Sequence, residues 1–222
     1  VDLVEADGVQ LVGIGLAYEQ IIDMYNYWQK LQSPTAGLVK QAKLTYVTEA
    51  EALQLNPSSL IRLPDTPDDL PSQVQRNYLY IQIVEVPDIG LGMAEYTGLL
   101  AVTGHSLGGH LASAFSRLFD TPAVTVNGAG YPTDFFPGLS GFALQNIHNV
   151  FATLSGNQNS AFNEENIFNI YGALNPEIVT QNWALVQPGS HNPIYIEDAS
   201  LIDATFGHGA SGMTDSMAVY NL

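Results

Sequence analysis

The 222-residue chain contains no cysteine. That excludes disulfides, zinc–thiolate centres and cysteine nucleophiles. It leaves the compartment open, since many exported bacterial proteins lack cysteine. Positive charge is also scarce: 6 Lys+Arg stand against 22 Asp+Glu, a formal net charge of −16. Such a surface repels nucleic acid and anionic membrane. A highly charged substrate does not suit it, whereas a neutral acyl ester does, and calcium is compatible with it. Charged residues make up only 13% and hydrophobic residues 46%, which marks a globular chain rather than a disordered one. No apolar run is long enough to span a bilayer. The opening Val1-Asp2-Leu3-Val4-Glu5 lacks the basic region of a signal peptide, while a C-terminal or already removed secretion signal stays compatible. No repeat or low-complexity linker divides the chain, and its length suits one domain. Dinucleotide fingerprint, P-loop and H-E-x-x-H are all missing. The acidic loop Asp65-Thr66-Pro67-Asp68-Asp69 lacks the ligand alternation of an EF-hand and reads as a solvated loop.

What the chain does have is Gly104-His105-Ser106-Leu107-Gly108, a G-x-S-x-G pentapeptide. A short apolar run, Leu99-Leu100-Ala101-Val102, precedes it, and the small-residue helical pattern Gly109-His110-Leu111-Ala112-Ser113-Ala114-Phe115 follows. A serine hydroxyl is a poor nucleophile unless it is held clear of its backbone beside a base. A tight strand-to-helix turn does this but crowds the residues on either side. Gly104 and Gly108 are expected to remove side chains that would clash there, and Gly109 to let the helix pack closely. The N–H of Leu107, at the helix start, would point at a developing oxyanion.

Around this turn the pattern alternates helix and strand. Leu16, Ile21, Ile22, Tyr25, Trp28 and Leu31 recur at spacings of three and four, which predicts a helix over 17–31. Lys43 to Val47 reads as a short strand, and Thr48 with Glu51 as a capping box for a helix over 49–55. Asn56 to Gln73, with Pro57, Pro64, Pro67 and Pro71, reads as a surface loop or excursion. Tyr78 to Val86 is rich in β-branched and aromatic residues and reads as a strand. Ala123 to Asn127, His148 to Thr153 and Ile167 to Tyr171 are further strand candidates, with mixed loop and helix over 135–147. Leu60, Ile61, Leu63, Ile89, Leu91 and Met93 would either wall an acyl cleft or simply cover the sheet. Ala184 to Val186 and Pro193 to Glu197 read as edge strands or a hairpin, and Met213 to Tyr220 as a final helix. This succession predicts an α/β architecture, a mostly parallel sheet with helices on both faces.

Gly104-His105-Ser106-Leu107-Gly108-Gly109-His110-Leu111-Ala112 resembles the nucleophile segment of the α/β-hydrolase lipases, in particular bacterial extracellular lipase-like domains. The resemblance implies an α/β-hydrolase fold and carboxylic ester hydrolysis by a secreted or cell-surface bacterial enzyme. The substrate would be an acyl ester or lipid, met at a transient lipid interface, with no cofactor required. Ser106 is the nucleophile in this reading, and His105 a shaping residue. Chain order in the fold is Ser, acid, His, which restricts the base to His110, His148, His191 or His208. His110 lies on the helix after Ser106, His148 at the wrong end of an apolar strand, and His191 in a turn. His208 lies in the late loop Phe206-Gly207-His208-Gly209-Ala210-Ser211-Gly212, where the family also carries a histidine, and is the preferred base.

For the acid, Glu177 follows the strand over 167–171 and is the best-placed carboxylate. Asp134, Asp198 and Asp203 are the alternatives. Glutamate departs from the aspartate usual in this family, and after Pro176 it could equally be a helix-start carboxylate. The family's second oxyanion donor comes from a loop after an early strand, often with an arginine-glycine signature. Asp7 to Gly15 does not match it. The lipase-like domain over 1–222 is therefore expected to be incomplete at its N-terminus, with other strands and a second donor supplied by a missing segment or by other domains of a larger protein. A non-catalytic binding or structural module on the same fold is the competing expectation.

Overall fold

The computed structural model describes residues 17–63, 78–93, 101–132, 140–157, 163–172 and 185–194. They fall into two compact units, and each is described by itself. The first holds 17–63, 78–93 and 140–157; the second holds 101–132, 163–172 and 185–194.

The first unit begins with helix α1, Tyr18–Gln32, which buries Tyr18, Ile21, Ile22 and Tyr25. Those positions are one helical stripe. Glu19 in the first turn and Lys30 in the last suit the helix dipole. Ser33 ends the helix in an extended conformation, its N–H and Oγ both donating to the Gln29 carbonyl. Pro34 then prevents continuation. Strand β1, Leu38–Val47, follows and is longer than the expected 43–47. Thr48 and Glu51 form the expected capping box on the short helix α2, Glu49–Ala52.

The stretch that reads as a surface loop or excursion contains structure. Asn56 caps a 3-10 turn, Pro57–Ser59, which leads into strand β2, Leu60–Arg62. Strand β3, Tyr78–Pro87, lies between the other two in an antiparallel sheet of order β1-β3-β2. Its register runs from Leu38↔Pro87 to Val47↔Tyr78. Leu60 and Ile61 are buried in this sheet, whereas Leu91 and Met93 are exposed.

Both edges of this sheet are closed by asparagine side chains. On the β1 edge the Ala42 N–H donates to Asn26 Oδ1 (2.6 Å) and Asn26 Nδ2 donates to the Ala42 carbonyl (2.9 Å). On the β2 edge the Arg62 N–H donates to Asn146 Oδ1 (2.8 Å) and Asn146 Nδ2 donates to the Arg62 carbonyl (2.7 Å). A carboxamide thus stands in for the missing strand. On the same helical face, Asn149 Nδ2 donates to the Leu60 carbonyl (2.7 Å) and Thr153 Oγ1 to the Ser58 carbonyl (2.9 Å).

These last residues belong to helix α3, Ser140–Ser155. The strand read over His148 to Thr153 is therefore corrected to helix. A six-residue apolar window cannot separate the two periods. Over the longer span, buried Ala143, Val150, Phe151 and Leu154 repeat at helical spacing, and so do Asn146, Asn149 and Thr153.

The second unit carries a parallel sheet of order β4-β5-β7-β9. Its strands are β4 (Val102–His105), β5 (Ala123–Val126), β7 (Ile167–Gly172) and β9 (Ser190–Ile194). Helix α4, Leu107–Phe119, joins β4 to β5. Ala112, Ala123 and Ile167 form the buried contact between helix and sheet, with Val102 packed against them. The α/β architecture is thus present here, while the three-stranded sheet of the first unit is antiparallel.

Strand β6, Tyr131–Pro132, pairs antiparallel with β8, Leu185–Val186. Of the edge strands or hairpin expected in the tail, the hairpin is not formed: β8 pairs with β6, and β9 joins β7 at the edge of the sheet among the described residues. Pro193 is tolerated on such an edge. A buried polar ladder crosses the sheet. Thr125 Oγ1 donates to Asn169 Oδ1 (2.5 Å), and Asn169 Nδ2 donates to the Pro188 (2.5 Å) and Ser190 (3.1 Å) carbonyls. A register slip would strand these groups without partners.

Asn146→Ala should destabilise the protein by roughly 1–3 kcal/mol, because it leaves the N–H and carbonyl of Arg62 without their partner. The shift of the urea unfolding midpoint measures it; a shift indistinguishable from zero would show that the edge is satisfied otherwise.

Candidate active site

Ser106 sits between β4 and α4 with φ 54 and ψ −122. This region of backbone space is sparsely populated by L-residues and costs about 1–3 kcal/mol. Surrounding hydrogen bonds hold it there. The Ser106 N–H donates to the Val126 carbonyl of β5 (3.2 Å). The Ser106 carbonyl accepts from the N–H groups of Gly109 (3.0 Å), His110 (3.1 Å) and Ala129 (3.0 Å). The first two are helix-start donors, and the third comes from the loop after β5.

Gly104 is required by close approach. A Cβ there would overlap the carbonyl of Gly108. At Gly109 a Cβ would come within 2.5 Å of the Gly128 Cα, so the helix start lies directly on the loop after β5. Gly108 corrects the sequence reading, because a Cβ there would meet nothing within 4 Å. The crowding at the elbow involves Gly108's backbone, not the space for its side chain.

The chemistry available at this turn follows from its position at the carboxyl end of a parallel strand and the first turn of a 13-residue helix. Gly109 and His110 spend their N–H groups on the Ser106 carbonyl. Leu107 and Gly108 are the helix-start donors that precede them, and such N–H groups favour negative charge. A serine hydroxyl beside oriented N–H donors suits attack on a carbonyl.

The structure places the other sequence-predicted residues unevenly. Ser106 and Leu107 are adjacent at the turn. His208 and Glu177 lie outside the described residues, as do Asp134, Asp198, Asp203, the acidic loop over 65–69, the segment over 7–15 and the final helix over 213–220. His148 is an exposed residue of α3. His191 lies in strand β9 rather than in a turn. Its Nε2–H donates to the Gln187 carbonyl (2.8 Å), and its ring meets Tyr171 edge-on at 6.2 Å. Among the described residues no group of three or more His, Asp or Glu is arranged to hold a metal ion.

His110 is fully buried. Its Nδ1–H donates to the Ala129 carbonyl (3.3 Å), and its ring stacks on Tyr131 with centroids 4.2 Å apart and 24° between planes. Burial pushes the imidazole down to about 4, against the upward pull of the Ala129 and Gly130 carbonyls. It is a neutral residue sealed away from solvent, which is no position for a general base that must exchange protons with substrate.

Two supporting residues escaped the sequence reading. Asn127, buried and at φ 43, accepts the Gly172 N–H on its Oδ1 (3.1 Å) and so holds the carboxyl end of β7. Buried Gln187 donates from Nε2 to the Gly128 carbonyl (2.5 Å). The Asn127-Gly128 dipeptide was a legible turn signal; nothing local marks Gln187.

No protein-family model matches this chain, and no curated protein matches it.

Two expectations follow from this geometry. Gly104→Ala should cost about 3 kcal/mol or more, because backbone must move to admit the methyl. Gly108→Ala should stay within about 1 kcal/mol of wild type, since alanine is the better helix former. Chemical denaturation of both variants checks the contrast, and equal losses would overturn it. The second concerns pH. His110 titrates near 6.5 when unfolded and at about 4 when folded, so the unfolded state binds the extra proton between those values. Its contribution is complete above the unfolded value and is lost as pH falls through the folded one, amounting to about 3 kcal/mol in total. Unfolding free energies measured from pH 7 to pH 4 should fall more steeply for wild type than for His110→Phe.

Proposed function

We propose that this chain is a serine carboxylic ester hydrolase, a lipase or esterase, on an α/β-hydrolase fold. The observation that carries the reading is Ser106 in a strained positive-φ backbone conformation between a parallel strand and a helix N-terminus. A turn of this kind presents a hydroxyl clear of its own backbone, as the nucleophile turn of α/β-hydrolases does.

In this mechanism Ser106 Oγ attacks the ester carbonyl while His208 accepts its proton. The N–H of Leu107 takes part of the charge on the tetrahedral oxyanion. Glu177 orients His208 and stabilises the imidazolium. Collapse expels the alcohol, which receives the proton from His208, and leaves an acyl group on Ser106. Water activated by His208 then attacks the acyl-enzyme and releases the carboxylic acid. No cofactor enters these steps. The strongly acidic composition favours neutral acyl esters over anionic substrates. The same reading places the enzyme outside a bacterial cell, where acyl esters are met at lipid interfaces.

A fluorophosphonate probe should label the folded full chain stoichiometrically at Ser106, and Ser106→Ala should abolish labelling. On a p-nitrophenyl acyl ester, Ser106→Ala and His208→Ala should each lower kcat by about 10³-fold or more. Absence of labelling on the folded chain would reject the hydrolase and favour a non-catalytic module on this architecture.

A further inference from the structure

Behind the nucleophile, three residues close a ring of hydrogen bonds. The Ser106 carbonyl accepts from the His110 N–H (3.1 Å) and the Ala129 N–H (3.0 Å). The Ala129 carbonyl accepts from His110 Nδ1 (3.3 Å). Each residue is thus bonded to both others. Tyr131 clamps the ring from one side: it stacks on the imidazole and donates its hydroxyl to the His110 carbonyl (3.1 Å).

The other ring nitrogen shows why packing alone does not account for histidine here. Among the described residues, His110 Nε2 is buried with no hydrogen-bond partner. An unsatisfied buried nitrogen costs stability. A phenylalanine would fill the same slot against Tyr131 without that cost. What imidazole adds is the Nδ1–H bond to Ala129, whose own N–H reaches the Ser106 carbonyl from outside the helix.

We propose that His110 is a positioning residue for Ser106. It grips the Ala129 carbonyl, helps keep the Ala129 N–H on the Ser106 carbonyl, and so holds the serine in its strained positive-φ conformation. The inference rests on the reading of Ser106 as nucleophile. Without the Nδ1–H, the Ala129–Gly130 peptide unit loses this anchor, and the Ala129 N–H is left to the hold that Gln187 keeps on the Gly128 carbonyl. The Ser106 carbonyl then keeps its helical donors but loses a firmly held Ala129 N–H, and the backbone relaxes toward commoner angles. A displacement of about 1 Å at a nucleophile is worth roughly 10²-fold in rate.

The test compares wild type with His110→Phe, which keeps the stack but has no donor, and His110→Asn, whose Nδ2 can reach the place of Nδ1. The readouts are the rate of fluorophosphonate labelling at Ser106 and hydrogen–deuterium exchange of the Ala129 amide. His110→Phe should slow labelling by about 10- to 100-fold and deprotect the Ala129 amide while the protein stays folded. His110→Asn should recover labelling to within about threefold of wild type. Wild-type labelling in His110→Phe, with the Ala129 amide still protected, would overturn the proposal. Should His110→Phe fail to fold, the nitrogen-15 spectrum of wild type decides: a proton on Nδ1 at neutral pH is expected, and the Nε2-protonated tautomer would reject the link. If wild type itself is not labelled, the hydrolase reading fails, and amide exchange at Ala129 still decides whether His110 holds this loop.

Discussion

The start of helix α4 and the loop after β5 converge on one carbonyl oxygen, that of Ser106. Ser106 cannot occupy φ 54 and ψ −122 unless its neighbours over-determine the conformation. Its carbonyl gathers donors from the helix start and from the loop after β5, while its N–H continues the ladder to Val126. Three elements therefore agree on where this residue sits. Gly104 and Gly109 are glycines because that agreement brings backbone against backbone, at the Gly108 carbonyl and the Gly128 Cα. His110 and Tyr131 fill the space beneath, and the neutral imidazole is kept neutral by its burial.

The first unit meets a different constraint with a different device. Among the described residues its antiparallel sheet has three strands, so two edges lie close to its centre, and a sheet edge presents N–H and carbonyl groups that need partners. Asn26 and Asn146 satisfy them with side chains from flanking helices. The amide group serves because it is at once donor and acceptor, as a peptide is. This explains a polar stripe on the otherwise apolar helix α3. It also explains why that stripe was easy to misread: buried asparagine makes a helix look less amphipathic than it is.

Legibility in the sequence followed the range of the interactions. The capping box of Thr48 and Glu51, the stripe of α1 and the Gly104–Gly109 turn all depend on residues a few positions apart, and they were recognisable as such. The strand at Leu60–Arg62 and the full length of β1 depend on pairing with β3, far along the chain. The region around His148 reads as strand in the sequence and is helix in the structure, because a short apolar run is compatible with either period. Gly108 shows the limit within the motif itself: the pattern names it, yet only the surrounding coordinates tell that a side chain would meet open space.

The sequence by itself determined a small-residue strand–turn–helix with a serine at its tip, an acidic cysteine-free composition, and an alternation of helix and strand. These are local or compositional properties, written in neighbouring residues. Only the tertiary structure decided that the tail strand β9 joins the parallel sheet while β8 pairs with β6, that His110 is sealed beneath the turn, and that Ala129 completes the hold on Ser106. Those outcomes depend on groups brought together from distant parts of the chain, where burial makes each unpaired polar atom costly and so selects one arrangement.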